Sequence, residues 1–400
     1  MRKALIVLIS AVVMLAPSSV YAQDLIEEAL VRQIEDDITD NIDRALSSAD
    51  LNEIESYFEM YAKELEPLTG GDDFQSFIQM LATGGGGFDI AGVFSLLLNF
   101  LFAGIKQSLP VIIQIIVVAL MFSVITHFAP SFGGTGVSKA ALTAQYVIVG
   151  TMTIGVLASA FSIGTDAISG MTQFTADFFP LLIALLTALG GITASAILSP
   201  ATVLLTTGIS LFYKSFVLPV VIVLTVLTVI SHFSATVKLT GFCTLLKSVV
   251  KWAIGVSSTV FIGIIMIQGL LGSTIDGLTI KTAKYTVDKF VPIVGGMISD
   301  SADVLVSCTL LVKNAVGVCG VIIIIGIVIS PLFALLAHYF VFKLAGAVLE
   351  PISGQSMSKF AQDAAGVLLL LFAALAAAAV MFFVTTAVII GAGGQNVMLR

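Results

Sequence analysis

Charge is what this chain has least of. Only 11% of its 400 residues are charged, against roughly 25% in ordinary soluble domains, while 58% are hydrophobic. That balance excludes a soluble enzyme. It also excludes a disordered chain, which needs low hydrophobicity and high net charge. Three cysteines cannot build a disulfide framework. Cys243, Cys308 and Cys319 lie in or beside apolar runs and read as small buried residues. There is no Gly-Lys dipeptide, hence no P-loop and no self-powered ATPase, and there is no His-Glu-x-x-His zinc helix. Strings such as Gly255-Val256-Ser257 arise by chance among 35 glycines, and an intramembrane serine protease would need one paired with a histidine. No basic stripe exists to hold phosphates, so nucleic acid is not an expected partner. No enzyme, cofactor or metal motif is present.

The charges that do occur are unevenly placed. Residues 24–80 carry sixteen acidic and three basic groups, a net of −13, whereas 81–400 carry nine acidic and thirteen basic groups, a net of +4. Ahead of the acidic stretch, 1–22 read as a secretory signal, with Arg2 and Lys3, an apolar run over 4–15, and Val20-Tyr21-Ala22 at the cleavage positions. An uncleaved anchor is the alternative, and both deliver the acidic stretch outside the cytoplasm. Within 23–83, Ile26, Leu30, Ile34, Ile38, Ile42 and Leu46 recur every fourth residue and predict a helix. Asp50-Leu51-Asn52-Glu53 predicts a second helix start, lined by Leu51, Ile54, Tyr57, Phe58, Tyr61 and Leu65 and ended by Pro67. Two such helices are too little chain for a core of their own. They pack on the membrane part, on a copy of themselves or on a partner, or else serve as a solvated acidic spacer. The segment 84–108 combines a four-glycine hinge with an expected interfacial helix.

Beyond residue 108, apolar runs dominate. The run 108–129 has 22 residues, about 33 Å as a helix, enough to cross the ~30 Å hydrocarbon core. Further runs cover 140–162, 178–199, 200–213, 215–234, 246–272, 290–312, 314–330, 331–349 and 364–391. They are long and lack the alternation of a barrel wall. The expected fold class is therefore all-α: a polytopic membrane helical bundle with internal repeats, preceded by a short exported amphipathic segment. Six spans are firm, with up to ten if 178–213 and 290–330 are helical hairpins.

The repeat rests on three segments in which a proline precedes a histidine next to an aromatic. They are Pro110 with His127, Pro219 with His232, and Pro331 with His338. A lysine follows each proline at a near-fixed distance: Lys139 at 29, Lys247 at 28 and Lys359 at 28. Phe178-Phe179-Pro180 and Phe290-Val291-Pro292 each stand 39 residues before the next repeat's proline. The units are 109–218, 219–330 and a truncated third copy, 331–400. The histidines read as helix-end structural groups rather than a proton relay or metal site, since no His or Cys sits beside them at ligand spacing. The lysine-bearing loops are expected in the cytoplasm by the positive-inside bias. Loops holding Asp166 and Asp177, and then Asp276, Lys281, Lys284, Asp288 and Lys289, are expected opposite them, the second being mildly basic against the bias.

After each Phe-x-Pro a helix with a small and polar face is expected. In the first copy it presents Ala184, Thr187, Ala188, Gly191 and Ser195; in the second, Gly296, Ser299, Asp300, Asp303 and Ser307. Such faces suit close packing or a wet lining. Intramembrane acids are expensive, which makes Asp300 and Asp303 candidates for a cavity or an interface, a wet helix end being the alternative.

The order of a signal, an acidic exported segment and a repeated membrane region resembles the stage III sporulation protein AE family. The wording of 178–200 and 285–391 is similar too, including Lys284-Tyr285-Thr286-Val287-Asp288-Lys289-Phe290-Val291-Pro292 and Val294-Gly295-Gly296-Met297. The resemblance implies a subunit of a channel or secretion-like complex in the mother-cell membrane facing the forespore. It also implies a cytoplasmic ATPase subunit, ring-forming proteins of the intermembrane space and the lipid bilayer as partners. A free-standing secondary transporter and a structural anchor that recruits the rings are the alternatives.

Overall fold

The computed structural model describes residue 46 and residues 51–83, 90–128, 135–233, 239–290 and 294–398, with the helix path alone for most of 269–306. The signal segment 1–22 and the stripe over 26–42 lie outside the described residues. Every described element is helical. Three short helices, α1 (Asn52–Met60), α2 (Ala62–Thr69) and α3 (Phe74–Thr83), precede seven longer ones. These are α4 (Ile90–Phe128), α5 (Thr135–Ala188), α6 (Ile192–Phe212), α7 (Leu218–Phe233), α8 (Thr240–Phe290), α9 (Val294–Ser353) and α10 (Gln355–Met398). A π-helical segment, Tyr213–Val217, joins α6 to α7 without a turn. Six stretches are long and apolar enough to cross a membrane: one each in α4, α5, α8, α9 and α10, and one running through α6 and α7. The protein is an all-α polytopic bundle.

Its centre is the pair α9 and α10, which pack most extensively on each other. In their most apolar windows 56% and 50% of residues are buried, against 22% in α4 and in α8. The outer helices thus present apolar flanks such as Ile113, Met121, Trp252 and Ile267 to the surroundings, as lipid-facing helices do. Three pairings occur in chain order, α4 with α5, α6–α7 with α8, and α9 with α10. The helix ends on either side of these pairings' connections meet at one end of the bundle. There Ser123 Oγ donates to the Ile352 carbonyl (2.6 Å), Gln145 Nε2 to Ser353 Oγ (3.1 Å), and Lys247 Nζ to Asp363 Oδ1 (2.9 Å).

Continuity of the helices is where the structure departs from the sequence expectations. The expected hairpin of 290–330 is absent, because α9 runs unbroken from 294 to 353. Pro200 likewise stands inside α6, and Pro110 inside α4, which fuses the expected interfacial helix to the first span. The stretch with Asp166 and Asp177, expected as a loop, is the middle of α5. Its hydroxyls bond back along the helix, Ser169 to Thr165 O (2.7 Å) and Thr172 to Ile168 O (2.7 Å), while Ala167, Ile168, Met171, Phe174 and Phe178 form a buried stripe. A proline or polar residue costs one helical bond, but a chain break inside an apolar bundle strands several backbone groups. The real break falls at 189–191. Gly190 takes a left-handed φ of 83°, its N–H bonds to Thr187 O (2.9 Å), and Gly191 N–H bonds to Leu186 O (3.0 Å). That is the paired ending that closes a helix on glycine. Pro67 does not end its helix either. It lies inside α2, which stops at Gly70 with a φ of 72°.

The short helices form no separate domain. Leu65, Phe74, Phe77 and Ile78 are buried against the long helices. A Cβ at Gly326 of α9 would meet Leu65 Cδ2 at 2.9 Å and Tyr61 Cβ at 3.2 Å, so the short helices sit in a notch that glycine leaves open. Burying such a side chain contributes about 1.5–3 kcal/mol each, which fixes the unit without a core of its own.

Candidate functional site

The densest cluster of ionisable groups among the described residues lies where α7, α8 and α10 meet. His232 is the last residue but one of α7. Lys247 stands two turns into α8 and Asp363 two turns into α10. Asp363 faces both basic groups, with Lys247 Nζ at 2.9 Å and His232 Nε2 at 3.5 Å. The other ring nitrogen, His232 Nδ1, is 2.9 Å from the Thr228 carbonyl one turn back. Phe360 sets its ring edgewise to the imidazole at 5.4 Å. Lys247 Nζ also passes close to Gly366, where a Cβ would lie at 3.6 Å, an ordinary contact. Thr228 Oγ1 and Cys243 Sγ approach to 3.9 Å just beside it. The cluster stitches three helix ends together and can bind a proton or screen an anion. It contains no activated nucleophile, and no three His, Cys, Asp or Glu among the described residues could hold a metal ion.

Two further polar features sit in apolar surroundings. Lys313 of α9 is fully buried and donates to the Ile390 carbonyl of α10 at 2.7 Å. A cavity of about 230 Å³ opens between α6, α8 and α10, lined by Leu204, Phe212, Tyr213, Phe261, Ile264 and Met381 among others. Tyr213 Oη is buried there without a hydrogen bond. The nearby Ser257 and Ser258 hydroxyls are committed to the Ile254 carbonyl at 3.0 and 2.8 Å.

At the opposite end the short helices are tied down by Tyr57. Its hydroxyl donates to Asp177 Oδ2 at 2.8 Å, and its ring meets Phe174 edge-on at 5.1 Å. Burial, and then the Asp177 carboxylate that accepts its proton, push the Tyr57 phenol well above its ordinary range. Removing only the hydroxyl, Tyr57→Phe, is expected to cost about 1 kcal/mol of stability, as a net hydrogen bond does. Tyr57→Ala should cost more, since the ring contact goes too. Denaturant titration of the detergent-purified chain reads the difference, and equal stability of Phe and Ala variants would deny the ring contact its part.

The residues expected from sequence separate into groups. Thr187 is exposed and bonds to Ile183 O (2.8 Å), while Ser195 is buried and bonds to Ile192 O (2.9 Å). The break at 189–191 falls between them, so they do not share the single helix face expected of them. Ser299, Asp300, Asp303 and Ser307 do share one helix, the start of α9. Ser307 is exposed, and the other three side chains lie outside the described residues. His127 and His232 end helices, as expected, although the His127 side chain is not described. His338 instead lies mid-helix in α9, with Nδ1 2.6 Å from the Ala334 carbonyl, the same one-turn-back contact that His232 makes. Pro110 and Pro331 are interior to α4 and α9, and Pro219 follows the π-helical segment directly. Sequence reasoning does not single out Asp363, Lys313 or the Asp177 contact with Tyr57. Asp363 and Lys313 do carry a signal, as lone charges at the edges of apolar runs.

Comparison with known proteins places these features in context. The family model described as stage III sporulation protein AE matches residues 72–393. The stage III sporulation protein AE of Bacillus subtilis (strain 168) is 31% identical over 258 residues, which cover 64% of this chain and 65% of that relative. The chain thus spans just under two thirds of the relative's length. No solved structure matches the chain.

Proposed function

The chain belongs to the stage III sporulation protein AE family, and from that premise we propose that it is the multi-pass membrane subunit of a channel or secretion-like complex joining mother cell and forespore. In this reading a separate cytoplasmic ATPase subunit energises the complex. Ring-forming proteins between the two membranes are further partners, and the protein sits in the mother-cell membrane with 23–83 outside the cytoplasm.

The observation that carries the reading is the two-ended geometry. The lysine-bearing starts of α5, α8 and α10 gather at one end, and the short acidic helices dock at the other. From Gly326, under Leu65, to Ser353 at the lysine end is 27 residues of unbroken α9. That is about 40 Å, more than the ~30 Å hydrocarbon core. The docked unit and the lysine end therefore suit opposite sides of one membrane, with the basic end inside. The centre between them is filled by Leu368, Leu371, Leu375, Phe342 and Leu335. A conducting path then belongs at boundaries with other subunits rather than within this bundle. Co-purification from sporulating cells tests this: recovery of the chain with a sporulation ATPase and ring proteins is expected, and recovery alone would overturn it.

A secondary transporter is the second reading, favoured by the interrupted run at 189–191 and the π-helical segment, since broken helices mark transporter sites. Substrate uptake by the purified chain alone in vesicles would select it. A purely structural anchor would instead lose all function on deletion of 24–83, where a channel subunit keeps some. We also propose that Asp300 and Asp303 face a partner or water. Asp300→Ala with Asp303→Ala is expected to leave membrane insertion intact while lowering spore yield at least tenfold. Normal yield would return both acids to a wet helix end.

A further inference from the structure

We infer that the cavity between α6 and α8 is a docking groove for α5 of a second copy of this chain, with Asp166 of that copy accepting the Tyr213 hydroxyl. Tyr213 is fully buried and lines the cavity of about 230 Å³, and its Oη has no hydrogen-bond partner among the described residues. A buried phenol left unpaired is costly, and its O–H can donate to any acceptor that enters. The cavity is open along one side, where Leu204 and Gly208 of α6 and Val260 and Ile264 of α8 are exposed lining residues. Its rim is low as well. Gly255, Thr259 and Gly263 recur every fourth residue on the exposed face of α8, and a Cβ at Gly208, Gly255 or Gly263 would meet nothing within 4 Å. Such a face lets the backbone of another membrane helix come close.

The complementary surface is on α5. Gly155, Ser159, Ser162 and Asp166 follow helical spacing on its exposed side, and a Cβ at Gly155 would meet nothing within 4 Å. Asp166 accepts from Ser162 Oγ at 3.0 Å and keeps further lone pairs for a second donor. A carboxylate on an apolar helix belongs against a partner or water. The two surfaces also lie at one level of the bundle. Gly170 of α5 stands against Ile327 of α9, where a Cβ would meet Cγ2 at 3.3 Å. Gly317 of α9 stands against Ile390 of α10, and nine residues on from that contact along each helix Met381, which lines the cavity, is level with Gly326. Asp166 is one turn, about 6 Å, from Gly170. Copies that share a membrane keep the same level, so Asp166 of one reaches the groove of the next. Both α5 and α8 lead away from the lysine-bearing end, so they meet parallel. The groove and the α5 face are different surfaces, so the contact is heterologous, and successive copies close into a ring or extend as an open array.

Self-association of this kind needs neither the ATPase nor the ring partners proposed above, so the full-length chain alone in lipid vesicles tests it. Copies labelled with donor and acceptor dyes should show energy transfer that rises with the ratio of protein to lipid. Tyr213→Phe and Asp166→Leu should each weaken association roughly 3–15-fold, the range of one interhelical hydrogen bond in a bilayer. The double variant should weaken it no further than the stronger single one, because both remove the same bond. Tyr213→Phe takes away only an unpaired oxygen and should melt as the wild type does when dilute in detergent, which separates lost association from lost folding. In a chain whose three cysteines are replaced by alanine, a short bismaleimide should join Ser159→Cys copies to Thr259→Cys copies in a mixture and should join neither variant to itself. A chain that stays monomeric at every lipid ratio would overturn the proposal and leave the groove to lipid tails. Unchanged association in Tyr213→Phe, or Thr259→Cys copies that join to one another, would overturn it too.

Discussion

Gly320→Val is expected to unseat the short helices α1–α3 from the bundle at a cost of about 3 kcal/mol, the upper end of ordinary overpacking, with Gly320→Ala somewhat less severe. A Cβ at residue 320 of α9 would lie 2.1 Å from Phe178 Cζ and 2.2 Å from its Cε1. Phe178 cannot turn away. It is fully buried and stacks on Phe174 at 5.0 Å, and Phe174 in turn receives the edge of Tyr57. The ring column therefore runs from α9 through α5 to α1, and any displacement of Phe178 is passed on to the Tyr57 contact with Asp177. Phe178→Leu alone leaves a void, but in combination with Gly320→Val it should recover part of the loss. The measurement is a double-mutant cycle on the detergent-purified chain, where contacting residues couple by roughly 0.5–3 kcal/mol. Additive losses would show that 320 and 178 do not touch.

How much of this is legible in the sequence depends on whether the signal is periodic or positional. The stripe Leu51, Ile54, Phe58 and Leu65 reads as a buried face and is one, because helical spacing of apolar residues is a local signal. The lysines at 139, 247 and 359 mark the openings of α5, α8 and α10, because a basic turn beside a long apolar run has few other uses. Helix ends are less legible. Pro67, Pro110 and Pro200 look like breaks, and each lies inside a helix. The cost of an open backbone in an apolar bundle exceeds the local penalty of a proline or a charge, and no sequence window contains that comparison. The candidate site is half legible. His232 and Lys247 stand out in the repeat, but Asp363, which joins them, is 116 residues from Lys247. Nothing local says that two such residues meet.

Lys313 gives the sharpest contrast between substitutions at one position. Its ammonium is wholly buried in the apolar layer with Val312, Val316 and Ile389, and the Ile390 carbonyl is its bonded partner at 2.7 Å. The fold tolerates a buried lysine here because the long stem fills space while the tip reaches a carbonyl. Lys313→Met keeps the stem and removes the desolvated charge. Replacing buried ionic groups by apolar ones of similar volume is often neutral or stabilising by about 1–4 kcal/mol, so this variant is expected to insert and melt at or above the wild-type temperature. Lys313→Ala leaves a cavity and is expected to lose about 2–4 kcal/mol. Lys313→Glu is the severe case: the carboxylate has no proton to give, faces a carbonyl oxygen, and lies within an apolar wall. It should lose at least about 3–5 kcal/mol, the cost of stranding a buried charge, and little folded protein should be recovered. Thermal melts of the four chains in one detergent give the order, Met at or above wild type, then Ala, then Glu. A Met variant that melts well below the wild type would mean that the bond to Ile390 outweighs the desolvation of the ammonium. A Glu variant of ordinary stability would mean that α9 and α10 part at this level and admit water. Spore yield from the Met variant then separates structure from function, because a chain that folds normally yet fails to support sporulation has lost a charge that its function uses.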